Sequence, residues 1–301
     1  MSRIEGTDFY YRSMSLEPTS IYTYRLTVWD EGMPDPLNAK RTGPEGNETS
    51  IVTTGGFEEP TFLEEAKEKG NIEEYTWKSE ILDNERTVNF YLPPGYADSE
   101  DRYPVLVVNH GNQALGLAKM NNTLDNLIAE GRIEPVIAAF VPRVVWAEYG
   151  GSHPDRYVEA LAEELLPYMD RTFRTHREKD NTGIMGVGSA GFAALYAAFS
   201  APDTFGMAAS QSFYWCEKKD ELIEAIKSSE ADGRMFYIER SKRDYYTEAS
   251  GLDARADSEQ IAGLLEEQGF EVETNLTGNV PDWVGWAVTA DGILEAMYAS
   301  E

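Results

Sequence analysis

Cysteine and histidine are nearly absent from this sequence. One cysteine, Cys216, stands among 301 residues, so the chain cannot form a disulfide within itself. The three histidines, His110, His153 and His176, lie far apart and make a poor set of zinc ligands. We therefore expect no metal site and no cofactor.

Long apolar runs are also missing. No stretch approaches the length of a membrane span. The first residues, MSRIEGTDFYYR, lack the apolar centre of a signal peptide. We expect no association with membranes, and a cytoplasmic location for the chain as given.

Basic residues are few relative to acidic ones. Lys and Arg number 26 against 53 Asp and Glu, which gives a formal net charge of −27 at pH 7. A surface this acidic repels phosphate backbones and anionic lipids, so nucleic acid is not expected as a partner. The charge favours neutral or cationic ligands. It is equally typical of solvation in high salt, which is the interpretation we prefer.

The remaining composition is that of a globular protein, with 42% hydrophobic residues. Over residues 76–301, short apolar runs alternate with segments that have helical spacing, such as Leu124, Leu127 and Ile128. The runs 104–109 and 135–141 are typical of strands covered on both faces, and 183–187, 207–212, 235–238 and 272–276 are further predicted strands. This alternation predicts an α/β fold, a mainly parallel sheet with helices on both faces.

The N-terminal residues have a different pattern. Tyr22, Tyr24, Leu26 and Val28 alternate with polar residues, which predicts a half-buried strand. We assign residues 1–57 to a partial β-rich appendage, 58–75 to an acidic linker with a short exposed helix, and 76–301 to the main domain. So few strands cannot bury much surface alone.

The active site of such a sheet lies at the carboxyl ends of its strands. The run 104–109 leads into Asn109-His110-Gly111-Asn112, where a His-Gly pair could turn N–H groups toward an oxyanion, or could simply form a tight turn. The run 183–187 leads into GVGSAGFAAL. Small residues there are typical of a nucleophile elbow, and also of any tight packing between strand and helix.

In their order and spacing these motifs resemble the esterase family of α/β-hydrolases, which includes the D-type esterases, and most closely the enterochelin (ferric enterobactin) esterases. The segments that carry the resemblance are 6–11, 24–26, 35–38, 86–96, 104–111, 124–137, 163–167, 202–206 and 210–215. The resemblance extends over nearly the whole chain. It implies an α/β-hydrolase fold, with a small N-terminal β appendage where relatives carry a larger β domain.

The resemblance also locates the nucleophile position. The family pattern is Gly-x-Ser-x-Gly-Gly-Leu, and alignment on 192–195 puts Gly186 at the first glycine and Gly188 at the serine. Ser189 falls one residue later. An elbow displaced by one residue would use Ser189, but it would put Val187 where the tight turn favours glycine. We prefer the interpretation that the nucleophile is lost.

The histidine and acid positions follow in the same way. The family carries its histidine in a Gly-Gly-His-Asp-Trp stretch, and this chain has Pro281 there, without a titratable group or a backbone N–H. Asp244 takes the acid position, but without a histidine it could pair with Arg240 or Arg243. His153, from a region that lies near the cleft in relatives, is the candidate substitute base.

Three hypotheses for function remain. We prefer an esterase homologue with a degenerate triad that keeps its cleft, lined by Trp215, Trp283 and Trp286, for a small-molecule ligand. The first alternative is an active carboxylic ester hydrolase that uses Ser189, and the second is a structural or interaction module. The resemblance suggests a siderophore-like ligand, although ferric catecholates are anionic and the charge of −27 would repel them.

If the acidity is an adaptation to high salt, the melting temperature rises between low and molar KCl. Salt at about 1 M screens charges beyond about 3 Å and so relieves the repulsion among acidic side chains. Thermal unfolding followed by circular dichroism at both concentrations measures the change. A melting temperature that does not rise would exclude this explanation.

Overall fold

The computed structural model describes residues 1–301 except for positions 9, 45, 177, 215, 245, 248–251 and 301. The chain divides into two compact units, Met1–Glu58 and Glu59–Glu301. The described part of the first unit holds short antiparallel strands: β1 (Ser2–Arg3), β2 (Tyr10–Tyr11), β3 (Ile21–Tyr24), β4 (Leu26–Val28), β5 (Glu31–Met33), β6 (Arg41–Thr42) and β7 (Thr49–Thr53).

The alternating stretch in the first unit forms two strands rather than one. β3 pairs with β7, whereas β4 pairs with β5 through a turn at Trp29 and Asp30, both at positive φ. The two strands separate at Arg25, whose guanidinium donates to the side chain of Asn47 and the carbonyl of Gly32. The change of pairing partner therefore interrupts the predicted strand.

The second unit is built on an eight-stranded sheet in the order β8-β9-β11-β10-β12-β13-β14-β17. Its strands are β8 (Asn71–Ser79), β9 (Asn84–Leu92), β10 (Val105–Asn109), β11 (Ile137–Val141), β12 (Thr182–Val187), β13 (Met207–Gln211), β14 (Met235–Ser241) and β17 (Glu271–Thr277), while β15 (Tyr246–Thr247) and β16 (Leu252–Asp253) pair separately. β9 runs antiparallel to β8 and β11, and the other pairs are parallel.

Helices cover both faces of this sheet because successive residues of the inner strands point to opposite sides. In β10, Val105 and Val107 belong to one buried cluster and Leu106 and Val108 to the other. The helices are α1 (Gly111–Gly116), α2 (Met120–Ala129), α3 (Pro154–Ala160), α4 (Leu166–Thr172), α5 (Ser189–Ser200), α6 (Lys219–Lys227), α7 (Ala254–Glu267), α8 (Trp283–Ala287) and α9 (Ala290–Tyr298). The arrangement confirms the predicted fold class.

The segment that we assigned to a linker is part of the second unit. Phe62 and Leu63 are buried in the cluster that contains α2. The side-chain amide of Asn126 on α2 donates to the carbonyls of Phe62 and Glu64, at 3.1 and 2.8 Å. Residues from Asn71 onward already form β8. Two apolar side chains in an acidic stretch are enough to bind it to the helix, so the boundary falls at residue 58.

A buried ion pair fixes the segment that follows β11. The guanidinium of Arg86 on β9 meets the carboxylate of Glu148 through two contacts, at 2.5 and 3.0 Å, and both side chains are almost fully buried. Arg86 also donates to the carbonyl of Pro142, and its guanidinium lies over the ring of Trp77. Glu148 accepts the N–H of Val144 at 3.1 Å. Residues 142–148 are therefore tied to β9.

Replacement of Glu148 by alanine should destabilise the protein by about 3–5 kcal/mol, because it leaves the Arg86 charge buried without its carboxylate. The neighbouring residue gives a matched control. Glu85 makes an exposed pair with Lys78 at 3.1 Å, so Glu85→Ala should change stability by less than about 1 kcal/mol. Urea unfolding of both variants measures the difference, and equal effects would contradict a structural role for the buried pair.

Candidate functional site

The reversal in strand order marks the place where a site can form. β10 lies between β11 and β12, so the chain leaves β10 to one side and returns to its other side. Crevices open at such points beyond the carboxyl ends of the strands. His110 follows β10 and Gly188 follows β12, so both turns lie at this opening.

The turn between β12 and α5 is fixed by lack of space. A Cβ atom on Gly186 would lie 2.3 Å from the carbonyl oxygen of Ala190, and one on Gly191 would lie 2.4 Å from Oγ of Ser210. A side chain at position 186 would therefore meet the backbone, and one at position 191 would require the Ser210 hydroxyl to move. Between them Gly188 has φ 56° and ψ −125°, a conformation that only glycine adopts readily. Gly188 is therefore the residue at the apex of the turn.

An aromatic pair covers this apex. A Cβ atom on Gly188 would lie 2.7 Å from Cε1 of Tyr214. The ring of Tyr214 stacks on Trp146, with centroids 6.4 Å apart and an interplanar angle of 10°. Trp146 in turn lies against Gly150, where a Cβ atom would be 2.4 Å from the indole ring. The space into which a side chain at position 188 would project is thus occupied by Tyr214.

The structure does not bring Ser189 and His153 together. Ser189 is the first residue of α5 and is 1% exposed, and its hydroxyl makes no hydrogen bond within the described residues. His153 lies at the surface before α3, where its backbone N–H donates to the carbonyl of Ala147. The Ser189 hydroxyl and the His153 imidazole are therefore not in the hydrogen-bond contact that proton transfer between them requires.

Neighbouring residues pack closely around the turn that follows β10. His110 has φ 56°, and a Cβ atom on Gly111 would lie 2.2 Å from the backbone of Phe140. The His110 N–H, one of the predicted oxyanion donors, is bound by the hydroxyl of Tyr149 at 3.1 Å. Burial raises the pKa of Tyr149 to about 12, so this hydroxyl stays protonated. Asn112, the other residue predicted here, is exposed in the first turn of α1.

The imidazole of His110 is neutral at pH 7. Burial, together with the nearby charge of Arg143, lowers its pKa to about 4. The ring packs edge-on against Tyr149 and Trp283, with centroid distances of 5.0 and 6.2 Å. His110 therefore presents an uncharged aromatic face.

Asp244, the candidate acid, lies beyond the end of β14. Its Oδ2 accepts the N–H of Ser241 at 2.8 Å, and its Oδ1 makes no hydrogen bond in the described part of the chain. Burial raises its pKa, while the Ser212 hydroxyl, the Ser241 N–H and the charge of Arg240 act in the opposite direction. Arg240 forms its ion pair with Glu259, at 3.4 Å.

Pro281 is followed directly by the N-cap of α8. Oδ1 of Asp282 accepts the N–H groups of Val284 and Gly285, at 3.0 and 3.4 Å. The short helix then brings the indole of Trp286 to the end of β13, where its Nε1 donates to Oγ of Ser212 at 3.1 Å. Ser212, whose hydroxyl lowers the pKa of Asp244, is therefore also bound to Trp286.

These turns enclose an open cleft of about 190 Å³. Its lining residues, which define the cleft below, are His110, Gln113, Val187, Gly188, Tyr214, Trp283 and Trp286. None of them carries a formal charge at neutral pH, since burial keeps His110 unprotonated. Trp215, which we had also assigned to the cleft, lies outside the described residues.

Sequence reasoning missed the side chains that close the turns. It assigned no role to Tyr214, Trp146 or Tyr149, because each of these side chains acts on a turn that is distant along the chain. One signal was available: the adjacent Gly150 and Gly151 indicate close approach of another group to the backbone, and that group is Trp146.

Over the described ranges, no group of three His, Cys, Asp or Glu side chains could hold a metal ion. Among the helices described, none combines the length and the apolar composition needed to cross a bilayer.

Two relatives in sequence are named as esterases. The chain is 31% identical over 150 residues to the endo-1,4-beta-xylanase/feruloyl esterase of Xylanibacter ruminicola, which covers 46% of this chain and 21% of that protein. It is 29% identical over 143 residues to the iron(III) enterobactin esterase of Dickeya dadantii, which covers 46% of this chain and 33% of that protein. The chain thus spans about a fifth and a third of the length of these relatives.

Solved structures show the same fold. The enterobactin esterase of Shigella flexneri, crystallised in the presence of enterobactin, aligns with a TM-score of 0.75 at 21% identity, over 88% of this chain and 69% of that chain. The ferulic acid esterase of the anaerobic fungus Anaeromyces mucronatus aligns with a TM-score of 0.64 at 18% identity, over 78% of this chain and 94% of that chain. The family model described as "Putative esterase" matches residues 79–288, more than half of the chain. This protein belongs to the Esterase family, with the α/β-hydrolase fold.

Proposed function

We propose that this protein binds a small aromatic ligand in the cleft and does not hydrolyse esters through a serine-histidine-acid triad. The observation that carries the proposal is the glycine at the apex of the turn after β12. In a nucleophile elbow the catalytic side chain projects from that apex, at the strained residue between strand and helix. Here the residue is Gly188, at φ 56° and ψ −125°.

Ser189 is a poor substitute for the missing side chain. It belongs to the first turn of α5 rather than to the apex, and it is 1% exposed. A nucleophile has to reach the substrate carbonyl and share a hydrogen bond with its base. The Ser189 hydroxyl makes no hydrogen bond among the described residues.

The described residues also place no base beside this serine. Pro281 stands at the family's histidine position, and His110 in the cleft wall makes no hydrogen bond with the Ser189 hydroxyl. Loss of serine or histidine from a triad lowers turnover by roughly a million-fold, and loss of both lowers it little further. An acceleration of roughly a thousand-fold can survive from binding alone, so trace hydrolysis is compatible with the proposal.

The cleft itself supports binding of a single aromatic ring. Its volume of about 190 Å³ is below the roughly 300–1,000 Å³ of pockets for drug-sized ligands. Its wall is formed by the rings of Tyr214, Trp283, Trp286 and His110. Because no lining residue is cationic, we infer that the ligand is an uncharged aryl ester or amide rather than an anionic ferric siderophore, which the net charge of −27 would repel.

Two solved structures were obtained with aromatic acids that have a single ring, which supports the aromatic ring of the proposed ligand. The Shigella esterase was crystallised in the presence of 2,3-dihydroxy-N-benzoyl-glycine, and the Anaeromyces esterase in complex with ferulic acid. Both compounds carry one substituted benzene ring. In this chain we propose that the same kind of ring lies against the tryptophans, without a nucleophile beneath it.

Hydrolysis of p-nitrophenyl acetate and butyrate tests the missing triad. The wild type should be no faster than Ser189→Ala, because Ser189 has no role in any residual reaction. In parallel, methyl ferulate should raise the melting temperature, and ferulic acid should raise it less because its carboxylate finds no cation in the cleft wall.

Two results would contradict the proposal. Robust turnover that Ser189→Ala abolishes would mean that Ser189 is the nucleophile and that a base, such as His153, reaches it in solution. No turnover and no stabilisation by either ferulate compound would instead favour a structural or interaction module.

Gly188→Ser should destabilise the protein by about 1–3 kcal/mol, because a side chain at positive φ is strained and its Cβ would lie 2.7 Å from Tyr214. In a Tyr214→Ala background the penalty should fall, since the contact is removed. Urea unfolding of the four proteins gives the coupling energy.

Gly263, on α7, provides the control for that cycle. A Cβ atom there meets no atom within 4 Å, so Gly263→Ser should be neutral or slightly stabilising. A coupling energy of zero between positions 188 and 214 would show that Tyr214 does not occupy the nucleophile space.

A further inference from the structure

A buried carboxyl group lies behind the wall of the cleft. Glu239, on β14, is 1% exposed. Its Oε1 accepts the side-chain amide of Gln211 at 2.9 Å and the hydroxyl of Thr289 at 3.0 Å, and its Oε2 accepts the amide of Asn275 at 3.0 Å. These three partners come from β13, β17 and the connection between α8 and α9, and all are neutral.

The same partners hold the tryptophan that lines the cleft. The Gln211 amide also donates to the carbonyl of Trp286, at 3.2 Å. On the indole side, Nε1 of Trp286 donates to Oγ of Ser212, and the Ser212 N–H donates to the backbone carbonyl of Glu239 at 2.9 Å. The Trp286 carbonyl is therefore connected to the Glu239 carboxyl group through Gln211, whereas the Trp286 ring is connected to the Glu239 backbone through Ser212.

We propose that Glu239 is a positioning residue of the cleft, and that the binding and release of its proton change how firmly α8 holds Trp286 in the wall. The effect on ligand binding rests on the proposed function of the cleft, whereas the effect on Trp286 itself does not. Glu239 is not among the residues that line the cleft, so its carboxyl group acts through Gln211 and Thr289, which it contacts directly.

The charge state of Glu239 decides the strength of these hydrogen bonds. A carboxylate accepts bonds that are roughly twice as strong as those of a neutral acceptor. Burial opposes the charge and raises the pKa of Glu239 to about 7, against the Thr289, Gln211 and Asn275 donors, which lower it. The proton therefore exchanges near neutral pH.

The other titratable groups around Glu239 either raise its pKa, as burial does, or stay neutral. Asp244, beyond the end of β14, raises the pKa of Glu239 by charge repulsion. Tyr237, two residues earlier on the strand, has its own pKa raised by burial and then by Glu239, so it remains protonated. No cation is among the hydrogen-bond donors that Glu239 meets in the described structure.

Two properties should then change in opposite directions with pH. The pKa of Glu239 is about 7 in the folded protein and 4.5 in the unfolded chain, so its protonated form stabilises the fold. This stabilisation is complete below about pH 4.5 and is lost as the pH rises through about 7. Over the same range the carboxylate forms, and the hydrogen bonds that hold α8 become stronger. The protein as a whole loses stability while Trp286 becomes better ordered.

Fluorine NMR of protein labelled with 5-fluorotryptophan tests the inference without any ligand. The Trp286 resonance, assigned through Trp286→Phe, should titrate with a midpoint near pH 7 between about pH 5.5 and 8.5. In Glu239→Gln, which mimics the protonated state, it should not titrate. The resonance of exposed Trp29 is an internal reference.

Two further variants distinguish an effect on the position of Trp286 from an effect on folding. Thr289→Val removes one donor to the carboxylate and should raise the midpoint, which a merely structural role would not move. Glu267→Gln makes the same charge change at the exposed end of α7 and should keep the wild-type midpoint. These variants keep the test decisive if Glu239→Gln fails to fold.

Binding of methyl ferulate, followed at about pH 6 and pH 8, should strengthen by about threefold with pH in the wild type and stay constant in Glu239→Gln. A Trp286 resonance that does not titrate in the wild type, or that titrates unchanged in Glu239→Gln, would overturn the inference. Absence of methyl ferulate binding at both pH values, with a normal Trp286 titration, would contradict the proposed ligand and leave the role of Glu239 in positioning Trp286 supported.

Discussion

The absence of space beside the turn between β12 and α5 is the constraint on which the site depends. Side chains at Gly186 and Gly191 would overlap the Ala190 carbonyl and the Ser210 hydroxyl, so the strand and the helix approach closely at this turn. Gly188 takes the strained backbone position there, and Ser189 enters the buried side of the helix. A displaced elbow would need a side chain where there is no room for one.

The neighbouring turns are also filled by side chains. Tyr149 binds the His110 N–H, Tyr214 covers Gly188, and Trp286 binds Ser212 beside Asp244. Each group that a reaction would use already has a fixed side chain against it. A cleft held in this way is preorganised, which favours binding because little flexibility is lost when a ligand enters.

Most of the fold could be predicted because its signals are local. The run 104–109 is apolar on both faces because the side chains of β10 pack alternately into the two buried clusters. Its predicted and observed bounds differ by one residue. The segment 58–75 could not be assigned, because Phe62 and Leu63 are too few to give a periodic pattern. What fixes that segment is Asn126, more than sixty residues away in sequence.

The site could be predicted only in part for the same reason. Glycine spacing and the position of Pro281 are readable in one stretch of sequence, and the resemblance to esterases aligned them. The hydrogen bonds of Glu239 join β13, β14, β17 and the α8–α9 connection, and no local pattern links Gln211, Asn275 and Thr289. Tyr214 likewise gave no sign that it would cover Gly188.

Reaction of the folded protein with a fluorophosphonate tests the central claim, that no serine at this turn is an activated nucleophile. An active serine esterase treated in parallel shows that the reagent works, and peptide mass spectrometry identifies any modified residue. The account predicts no adduct at Ser189, since its hydroxyl is buried and lacks a base. An adduct at Ser189, lost when the protein is unfolded before treatment, would contradict it.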